Sequence, residues 1–105
     1  MTAQKLNDTI VKILKDKGGS DVKSLDLTEK SAIAEFMVIA TGKNAVNVAA
    51  LANDVQGRLA EKEVFATRKE GVNDGRWAVL DYNSVIVHIF NADSRDFFSL
   101  ETLWK

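Results

Sequence analysis

The chain contains one histidine, His88, which lies in a segment of mostly apolar residues, DYNSVIVHIF at positions 81–90. Imidazole can transfer a proton near neutral pH or bind a metal ion, so His88 is the first residue to consider for chemistry. Histidine is also a residue of intermediate burial that often lies partly inside a fold. Its role therefore depends on which side chains share its surroundings.

The residues around His88 predict a β-hairpin. Segments 76–81 and 85–90 are rich in apolar and β-branched residues, and a polar turn separates them. The turn falls at either 82–83 or 83–84, and both alternatives give a two-residue connection. The hairpin is the clearest paired element in the sequence.

This hairpin is expected to place several unlike side chains on one face of a sheet. Because side chains alternate along a strand, Trp77, Val79 and Asp81 fall on the same face as His88 for either turn. Trp77 is then directly opposite or diagonal to His88. The sequence thus predicts an indole and an imidazole side by side, with a carboxylate near them.

Four interpretations of His88 remain open. A metal ligand needs two or three partners, and this chain offers neither a second histidine nor a cysteine. A general base needs a substrate cleft and an orienting group, for which Asp81 is the candidate. The third interpretation is a hydrogen-bonded histidine of the core, and the fourth is a sheet face that receives a protein partner, where aromatic residues are enriched. We predict no catalytic residue, no metal site and no cofactor.

Two glycine-containing segments come close to phosphate chemistry without completing its patterns. TGKN at 41–44 precedes a predicted helix, whose first amides could hold a phosphate, but one glycine is less than a phosphate-binding fingerprint. GGS at 18–20 is followed by Asp26, as in nucleotidyltransferases, but the second metal-binding acid is missing. Both segments are interpreted as structural.

The C-terminal segment RDFFSLETLWK, at 95–105, is the second candidate for recognition. Arg95, Phe98 and Glu101 lie at spacings that let them cluster on one side of a helical turn, and Leu103 and Trp104 are candidates to join them. Such a segment either docks its aromatic residues onto the core or presents them to a partner. Tryptophan and arginine are the residue types that most often anchor protein interfaces.

The elements that must position these residues follow from hydrophobic periodicity and from glycine and N-cap signals. The predicted elements are a helix around 6–14, strands at 22–27 and 36–41, a helix from the cap Asn44 to about 59, a strand at 64–68, the hairpin, and a final helical segment at 97–103. Their order predicts an α/β protein with a single mixed β-sheet flanked by helices.

Length and composition narrow the class of protein. A chain of 105 residues, 46% hydrophobic and 28% charged, suits one folded domain spanning 1–105. Lys and Arg number 14 against 15 Asp and Glu, so no dominant direct contact with nucleic acid is expected. The absence of cysteine, of a signal-peptide pattern and of an 18-residue apolar run predicts a cytoplasmic protein without a membrane span.

The hairpin and the C-terminal segment together resemble a known family. GRWAVLDYNSVIVHIF followed by SRDFFSLETLWK is similar to the ribosomal silencing factor family, also called the Iojap family, as is the apolar strand FMVIATG at 36–42. The residues that carry the resemblance are Trp77, Asp81, Val87, His88, Arg95, Phe98, Leu100, Glu101, Leu103 and Trp104. The chain departs from the usual family residues at Glu35, Asn44, Asn83, Ser84 and Phe98.

This resemblance implies a nucleotidyltransferase-like fold without the catalytic acids, and a protein that is not an enzyme. It further implies binding to the large ribosomal subunit through its fourteenth protein, a steric block of small-subunit joining under nutrient limitation, and a possible homodimer. The partner-binding residues that we predict on this basis are Trp77, Asp81, His88, Arg95, Phe98, Glu101 and Trp104.

Two alternatives from other functional classes remain open at this stage. One is an enzyme that acts on a small substrate through His88 and Asp81. The other is a homodimeric interaction module unrelated to the ribosome, in which the face that carries Trp77 is closed by self-association. A substrate cleft around His88 would favour the first alternative.

Overall fold

The structure is a computed structural model, and it describes residues 1–30 and 34–92. The elements in chain order are helix α1 (Ala3–Asp16), strands β1 (Ser20–Asp26) and β2 (Phe36–Gly42), helix α2 (Ala45–Ala60), and strands β3 (Arg68–Glu70), β4 (Trp77–Asp81) and β5 (Val85–Asn91). The final helical segment predicted at 97–103 lies outside the described residues.

The strands form one five-stranded sheet in the order β1-β2-β5-β4-β3. Strands β2 and β5 are parallel and central, while the other neighbouring pairs are antiparallel. The prediction of a single mixed sheet in an α/β fold is therefore confirmed. Most side chains of both central strands are buried on either side of the sheet, which explains why their sequences are apolar at almost every position.

Helices α1 and α2 pack on the same side of the sheet, which we call the helical face. Each helix contributes a stripe of apolar residues at helical spacing, such as Ile10 and Leu14 in α1 and Leu51 and Val55 in α2. The sheet residues beneath them are Val38, Ala40, Ala78, Leu80, Val85, Val87 and Ile89. This layer is the main hydrophobic core, because most of its members are fully buried.

The opposite side of the sheet is built from the alternate residues of the same strands. We call it the aromatic face, and its members are Met37, Ile39, Trp77, Val79, Asp81, Ile86, His88 and Phe90. A smaller apolar cluster there includes Ile39 and Phe90 together with Leu27 from the segment after β1. Neither α1 nor α2, the two helices in the described parts of the chain, lies on this side.

The turn from β2 into α2 is closed by its own side chains. Asn44 caps the helix by accepting a hydrogen bond from the backbone N–H of Asn47 (2.8 Å), and the Asn47 side chain accepts one from the N–H of Lys43 (2.9 Å). A Cβ at Gly42 would lie 2.7 Å from a methyl carbon of Val48, so the turn needs glycine there. The geometry agrees with the structural interpretation of TGKN.

The third strand differs from its prediction. The sequence predicted a strand at 64–68, whereas β3 spans Arg68–Glu70 and is exposed throughout. The apolar residues Val64 and Ala66 pack against the main core from a loop, in which Glu63 has a φ of 60°. Burial therefore explains their apolar character, while the charged residues form the sheet edge, as is common for edge strands.

The hairpin of β4 and β5 is confirmed, with the turn at the second of the two predicted places. Tyr82 N–H donates to the carbonyl of Val85 (2.9 Å), so Asn83 and Ser84 form the two-residue connection. Asn83 adopts a left-handed φ of 69°, which asparagine accepts more readily than most residues. This turn sets the register of every pair on the aromatic face.

Candidate functional site

The hairpin register brings the predicted site residues of β4 and β5 onto the aromatic face. Trp77 pairs with Phe90 across the two strands, and Val79 pairs with His88. Trp77 and His88 are thus diagonal neighbours, one of the two arrangements that the sequence allowed. On the other side of β5, His88 pairs with Ile39 of β2.

Trp77 and His88 are joined by a direct hydrogen bond. The indole Nε1–H of Trp77 donates to Nδ1 of His88 over 2.9 Å. The indole also stacks on Phe90, with ring centroids 5.2 Å apart and planes at 26°. Phe90 is only 1% exposed, so Trp77 has a rigid support beneath it, while its own side chain is half-buried. The hydrogen bond to His88 therefore holds the edge of the indole, and stacking on Phe90 supports one of its faces.

The environment of His88 keeps its imidazole neutral. The residue is 9% exposed, and burial lowers its pKa from 6.5 to about 4. Because Nδ1 accepts the hydrogen bond from Trp77, the single proton of the neutral ring belongs on Nε2. His88 therefore acts as an acceptor on this face, and its small exposed area makes it a poor direct contact for a partner.

Asp81 binds to the hairpin turn and not to His88, for which the sequence made it a candidate orienting group. Its carboxylate Oδ1 accepts a hydrogen bond from the N–H of Asn83 (2.8 Å), and Asp81 pairs with Ile86 across the hairpin. Its carboxylate makes no hydrogen bond to His88, and the ring nitrogen Nδ1 is bonded to Trp77. The hypothesis that Asp81 orients His88 is wrong, because the carboxylate bonds to the turn instead. Asp81 remains half-buried at the aromatic face.

The described residues do not assemble a metal site. Within residues 1–30 and 34–92, no group of three or more histidine, cysteine, aspartate or glutamate side chains is close enough to hold an ion. In the same part of the chain, neither helix is long and apolar enough to cross a bilayer.

Burial is uneven across the aromatic face. Over β2 and the end of β5 the side chains are buried, as Ile39 and Phe90 show. The face opens toward β4 and β3, where Val79 is half-buried and Arg68 is exposed, and at the start of β5, where Ile86 is half-buried. The accessible part of the face is therefore the hairpin side, next to Trp77.

Sequence reasoning did not single out Val79 and Ile86 as site residues. Both are half-buried on the aromatic face, where Val79 pairs with His88 and Ile86 pairs with Asp81 across the hairpin. The strand alternation that placed Trp77 and His88 on one face also places Val79 and Ile86 on it. However, a valine or isoleucine in a strand is usually interpreted as a core residue. Only the half-exposure in the folded chain distinguishes them.

The loop before β4 fixes where Trp77 begins its strand. Gly75 is buried with a φ of 76°, and a Cβ there would lie 2.6 Å from Cα of Ala45, at the start of α2. Gly71 has a φ of 72°, and a Cβ would collide with the carbonyl oxygen of Trp77. Only glycine fits at both positions. The loop backbone can therefore pass close to α2, and Trp77 becomes the first residue of β4.

The other predicted partner-binding residues are Arg95, Phe98, Glu101 and Trp104, and all four lie outside the described residues. Their placement beside the aromatic face therefore stays a prediction. Of the seven predicted residues, the structure brings Trp77, His88 and Asp81 onto one face.

These features define the class of protein as a small mixed α/β fold, whose most unusual side chains, Trp77 and His88, lie together on the aromatic face. The family model described as "Ribosomal silencing factor during starvation" matches residues 1–105, and the chain belongs to this family. The resemblance seen in the sequence is confirmed. The family is named for a regulatory role and not for an enzymatic one.

Individual relatives agree with the family match. The chain is 34% identical over 104 residues to "Ribosomal silencing factor RsfS" of Chromobacterium violaceum, covering 99% of this chain and 85% of that protein. It is 30% identical over 101 residues to "Protein Iojap-related, mitochondrial" of Arabidopsis thaliana, covering 91% of this chain and 54% of that protein. An X-ray crystal structure of a Chromobacterium violaceum protein superposes with a TM-score of 0.95 at 34% identity, covering 99% of this chain and 87% of that one.

Proposed function

We propose that this protein represses translation by binding the large ribosomal subunit through its fourteenth protein and blocking the small subunit from joining, especially under nutrient limitation. The observation that carries the proposal is the family match over residues 1–105. Relatives that cover nearly the whole chain are named ribosomal silencing factors. Such a protein works where ribosomes are, in the cytoplasm.

The aromatic face is the docking surface in this proposal. It offers a half-buried indole at Trp77 that stacks on buried Phe90, with Val79 two residues along β4 and Ile86 farther along the hairpin, opposite Asp81. A partly exposed tryptophan surrounded by smaller apolar side chains is a typical anchor of a protein interface. Asp81 supplies negative charge at the rim, which suits a ribosomal protein with basic groups.

Four residues near the C-terminus complete the proposed surface. Phe98 and Trp104 are assigned as apolar contacts, Glu101 as a contact to a basic group, and Arg95 as a residue that orients the terminal segment. This assignment rests on the family resemblance of the sequence at 95–105. A net charge of −1 favours a protein partner over bare ribosomal RNA.

The mechanism is steric occlusion, in which no bond is made or broken. A docked domain of 11.6 kDa occupies space on the large subunit that the small subunit needs. The buried, neutral His88 and the turn-bound Asp81 suit this mechanism better than acid–base catalysis, because neither forms a catalytic pair with the other. The rival enzyme hypothesis has no supporting geometry at these two residues.

The first experiment compares sedimentation of the purified protein with isolated large subunits and with intact ribosomes. Repression by occlusion predicts binding to free large subunits and little binding to intact ribosomes, in which the site is covered. Preincubated large subunits should also join small subunits more slowly in light scattering. Equal binding to intact ribosomes would contradict occlusion, and no binding to large subunits would contradict the proposal as a whole.

A charge-neutral variant tests the docking face itself. Asp81→Asn keeps an amide oxygen that can accept the hydrogen bond from Asn83 N–H, so the turn is retained while the charge is removed. If Asp81 faces a basic group on the partner, binding to large subunits should weaken by about two- to fivefold at low salt. The matched control is Asp54→Asn, which removes the same charge from α2 on the opposite side of the sheet.

A homodimer is the second part of the proposal, and it comes from the resemblance alone. Light scattering of the purified protein over a range of concentrations gives its molar mass. If the dimer uses the aromatic face, added large subunits should dissociate it, since both partners need Trp77. A dimer that persists on the subunit would place self-association on another surface.

A further inference from the structure

The aromatic face contains a hydrogen bond between Trp77 and His88. This bond adds no exposed area for a partner to contact, so it needs another explanation. The donor is the indole Nε1–H, the acceptor is Nδ1 of the imidazole, and the distance is 2.9 Å. His88 is 9% exposed, too little to give a partner much contact area. Its influence on docking must therefore pass through the residue that it contacts.

We propose that His88 is a positioning residue, which fixes the indole of Trp77 in the orientation that the docking partner meets. The proposal rests on the proposed function, because it takes Trp77 as part of the docking surface. It changes the role of His88 from a contact residue to the acceptor that sets the geometry of the contact residue.

The indole is constrained from two directions that act on different motions. Stacking on Phe90 at 5.2 Å favours one plane for the ring, but a flip of the indole about χ2 could keep a similar plane and move Nε1–H to the other side. A hydrogen bond is directional, so the bond to Nδ1 selects one placement of Nε1–H. Together they leave the tryptophan one orientation.

His88 is itself held in place by the sheet. It pairs with Ile39 of β2 on one side and with Val79 of β4 on the other. Burial among these apolar neighbours lowers the pKa of His88 to about 4, so a neutral ring with a free lone pair on Nδ1 is present at physiological pH. Indole N–H is a donor only, and a protonated imidazole could not accept from it.

Pre-ordering a large side chain has a measurable effect on affinity. A side chain that must be immobilised during association weakens binding by a factor of about two to twelve, and one that is already ordered avoids this loss. Loss of the acceptor at position 88 should therefore weaken docking by about fivefold, without removing any contact to the partner.

A matched pair of variants separates the acceptor from the bulk of the side chain. His88→Asn places Oδ1 close to the position of Nδ1 and retains an acceptor, whereas His88→Leu has nearly the same size and shape and no acceptor. Leucine suits this apolar site better, so His88→Leu should be the more stable of the two. Thermal unfolding of both variants establishes this order.

We expect the less stable variant to bind better. In cosedimentation with isolated large subunits, His88→Asn should stay within about twofold of the wild type, and His88→Leu should weaken by about fivefold. Equal binding by the two variants would overturn the positioning role. Weaker binding by His88→Asn than by His88→Leu would also overturn it, because affinity would then follow stability.

Indole NMR tests the hydrogen bond without the ribosome, so the positioning role and the proposed function can fail separately. The Trp77 Nε1–H signal is assigned by its loss in Trp77→Phe. It should exchange slowly with solvent in the wild type and in His88→Asn, and faster in His88→Leu. Equal exchange rates in all three proteins would overturn the positioning role of His88, even if the wild type binds large subunits. A wild type that does not bind large subunits would overturn only the proposed docking function.

A double-mutant cycle completes the test. In the Trp77→Phe background the donor is absent, so exchanging His88 for leucine should cause no further loss of affinity. A full additional fivefold loss in that background would show that His88 acts independently of Trp77, and the proposal would fall.

Discussion

The two faces of the sheet use the same strands for different purposes. On the helical face, sheet residues such as Val38, Val87 and Ile89 are all apolar and fully buried under α1 and α2. On the aromatic face, an indole, an imidazole and a carboxylate stand among the apolar residues, and burial falls off toward β4 and β3. The helical face holds the larger hydrophobic core, and the aromatic face carries the surface that we propose for docking.

Strand β5 shows this division within a single run of residues. Val85, Val87 and Ile89 point to the helices, while Ile86, His88 and Phe90 point away. In the sequence, the histidine is the one polar residue among these six. The difference in their roles comes from what covers each side of the strand.

The largest expected effect compares two isoleucines of β5. Ile89 is fully buried on the helical face, and Ile86 is half-buried on the aromatic face. Ile89→Ala should lower the free energy of unfolding by about 3–4 kcal/mol through lost burial and a new cavity. Ile86→Ala should lower it by only about 1 kcal/mol.

Urea denaturation measures both variants, and cosedimentation at a temperature where both are folded measures docking. We expect Ile86→Ala to weaken binding to large subunits and Ile89→Ala to leave it unchanged. Equal losses of stability in the two variants would show that the two faces are equally packed. The claim that the helical face is the more tightly packed one would then be wrong.

The second effect is acid destabilisation through His88. Its pKa is about 4 in the folded chain and 6.5 when unfolded, so between these values the unfolded chain binds more protons. Stability is therefore present above pH 6.5 and is lost as the pH falls toward 4, at up to about 1.4 kcal/mol per pH unit.

The measurement is the difference in unfolding free energy between the wild type and His88→Leu at several pH values. The acidic residues titrate in both proteins and largely cancel in this difference. The wild type should lose up to roughly 3 kcal/mol relative to the variant on acidification. A difference that stays constant with pH would mean that His88 is not held neutral by its surroundings.

The third effect comes from the buried hydroxyl of the helical face. Tyr82 is 6% exposed, and its hydroxyl has no hydrogen-bond partner within residues 1–30 and 34–92, whereas His88 on the other face has one. Tyr82→Phe should raise the free energy of unfolding by about 1 kcal/mol, because it removes a buried polar group that no bond offsets.

Alkaline titration gives an independent measurement of the same residue. Burial raises the pKa of Tyr82 to about 12, so the unfolded chain releases this proton first and the wild type should lose stability as the pH rises from 10 toward 12. Tyr82→Phe should lack this component of the loss. A phenylalanine variant less stable than the wild type at neutral pH would show that the hydroxyl has a favourable contact.

The smallest effect concerns the turn that sets the register of the aromatic face. Asp81→Asn keeps the acceptor for Asn83 N–H and should change stability by less than about 0.5 kcal/mol, while Asp81→Ala should cost about 1 kcal/mol. Thermal unfolding ranks the two. If asparagine costs as much as alanine, the charge of Asp81 is needed for folding, and its effect on docking cannot be separated from stability.

Several features of the site could be predicted from the sequence because they depend on local periodicity. Strand alternation placed Trp77, Asp81 and His88 on one face, and a polar pair between apolar runs predicted the turn. The same reasoning placed a strand at 64–68, where the structure has a loop at 64–67 and β3 begins only at Arg68. Val64 and Ala66 pack against the core without pairing with a neighbouring strand. An apolar residue type is compatible both with a strand and with a loop that packs on the core.

By itself, the sequence determined the mixed α/β class, the order of the elements, the hairpin and the family, because these depend on periodicity, glycine signals and motif spacing along the chain. The tertiary structure decided that Nδ1 of His88 accepts from Trp77, that Asp81 serves the turn, and that Val79 and Ile86 lie on the accessible side. Hydrogen-bond partners and burial depend on which strands and helices meet in space. That information arises only when distant segments pack together.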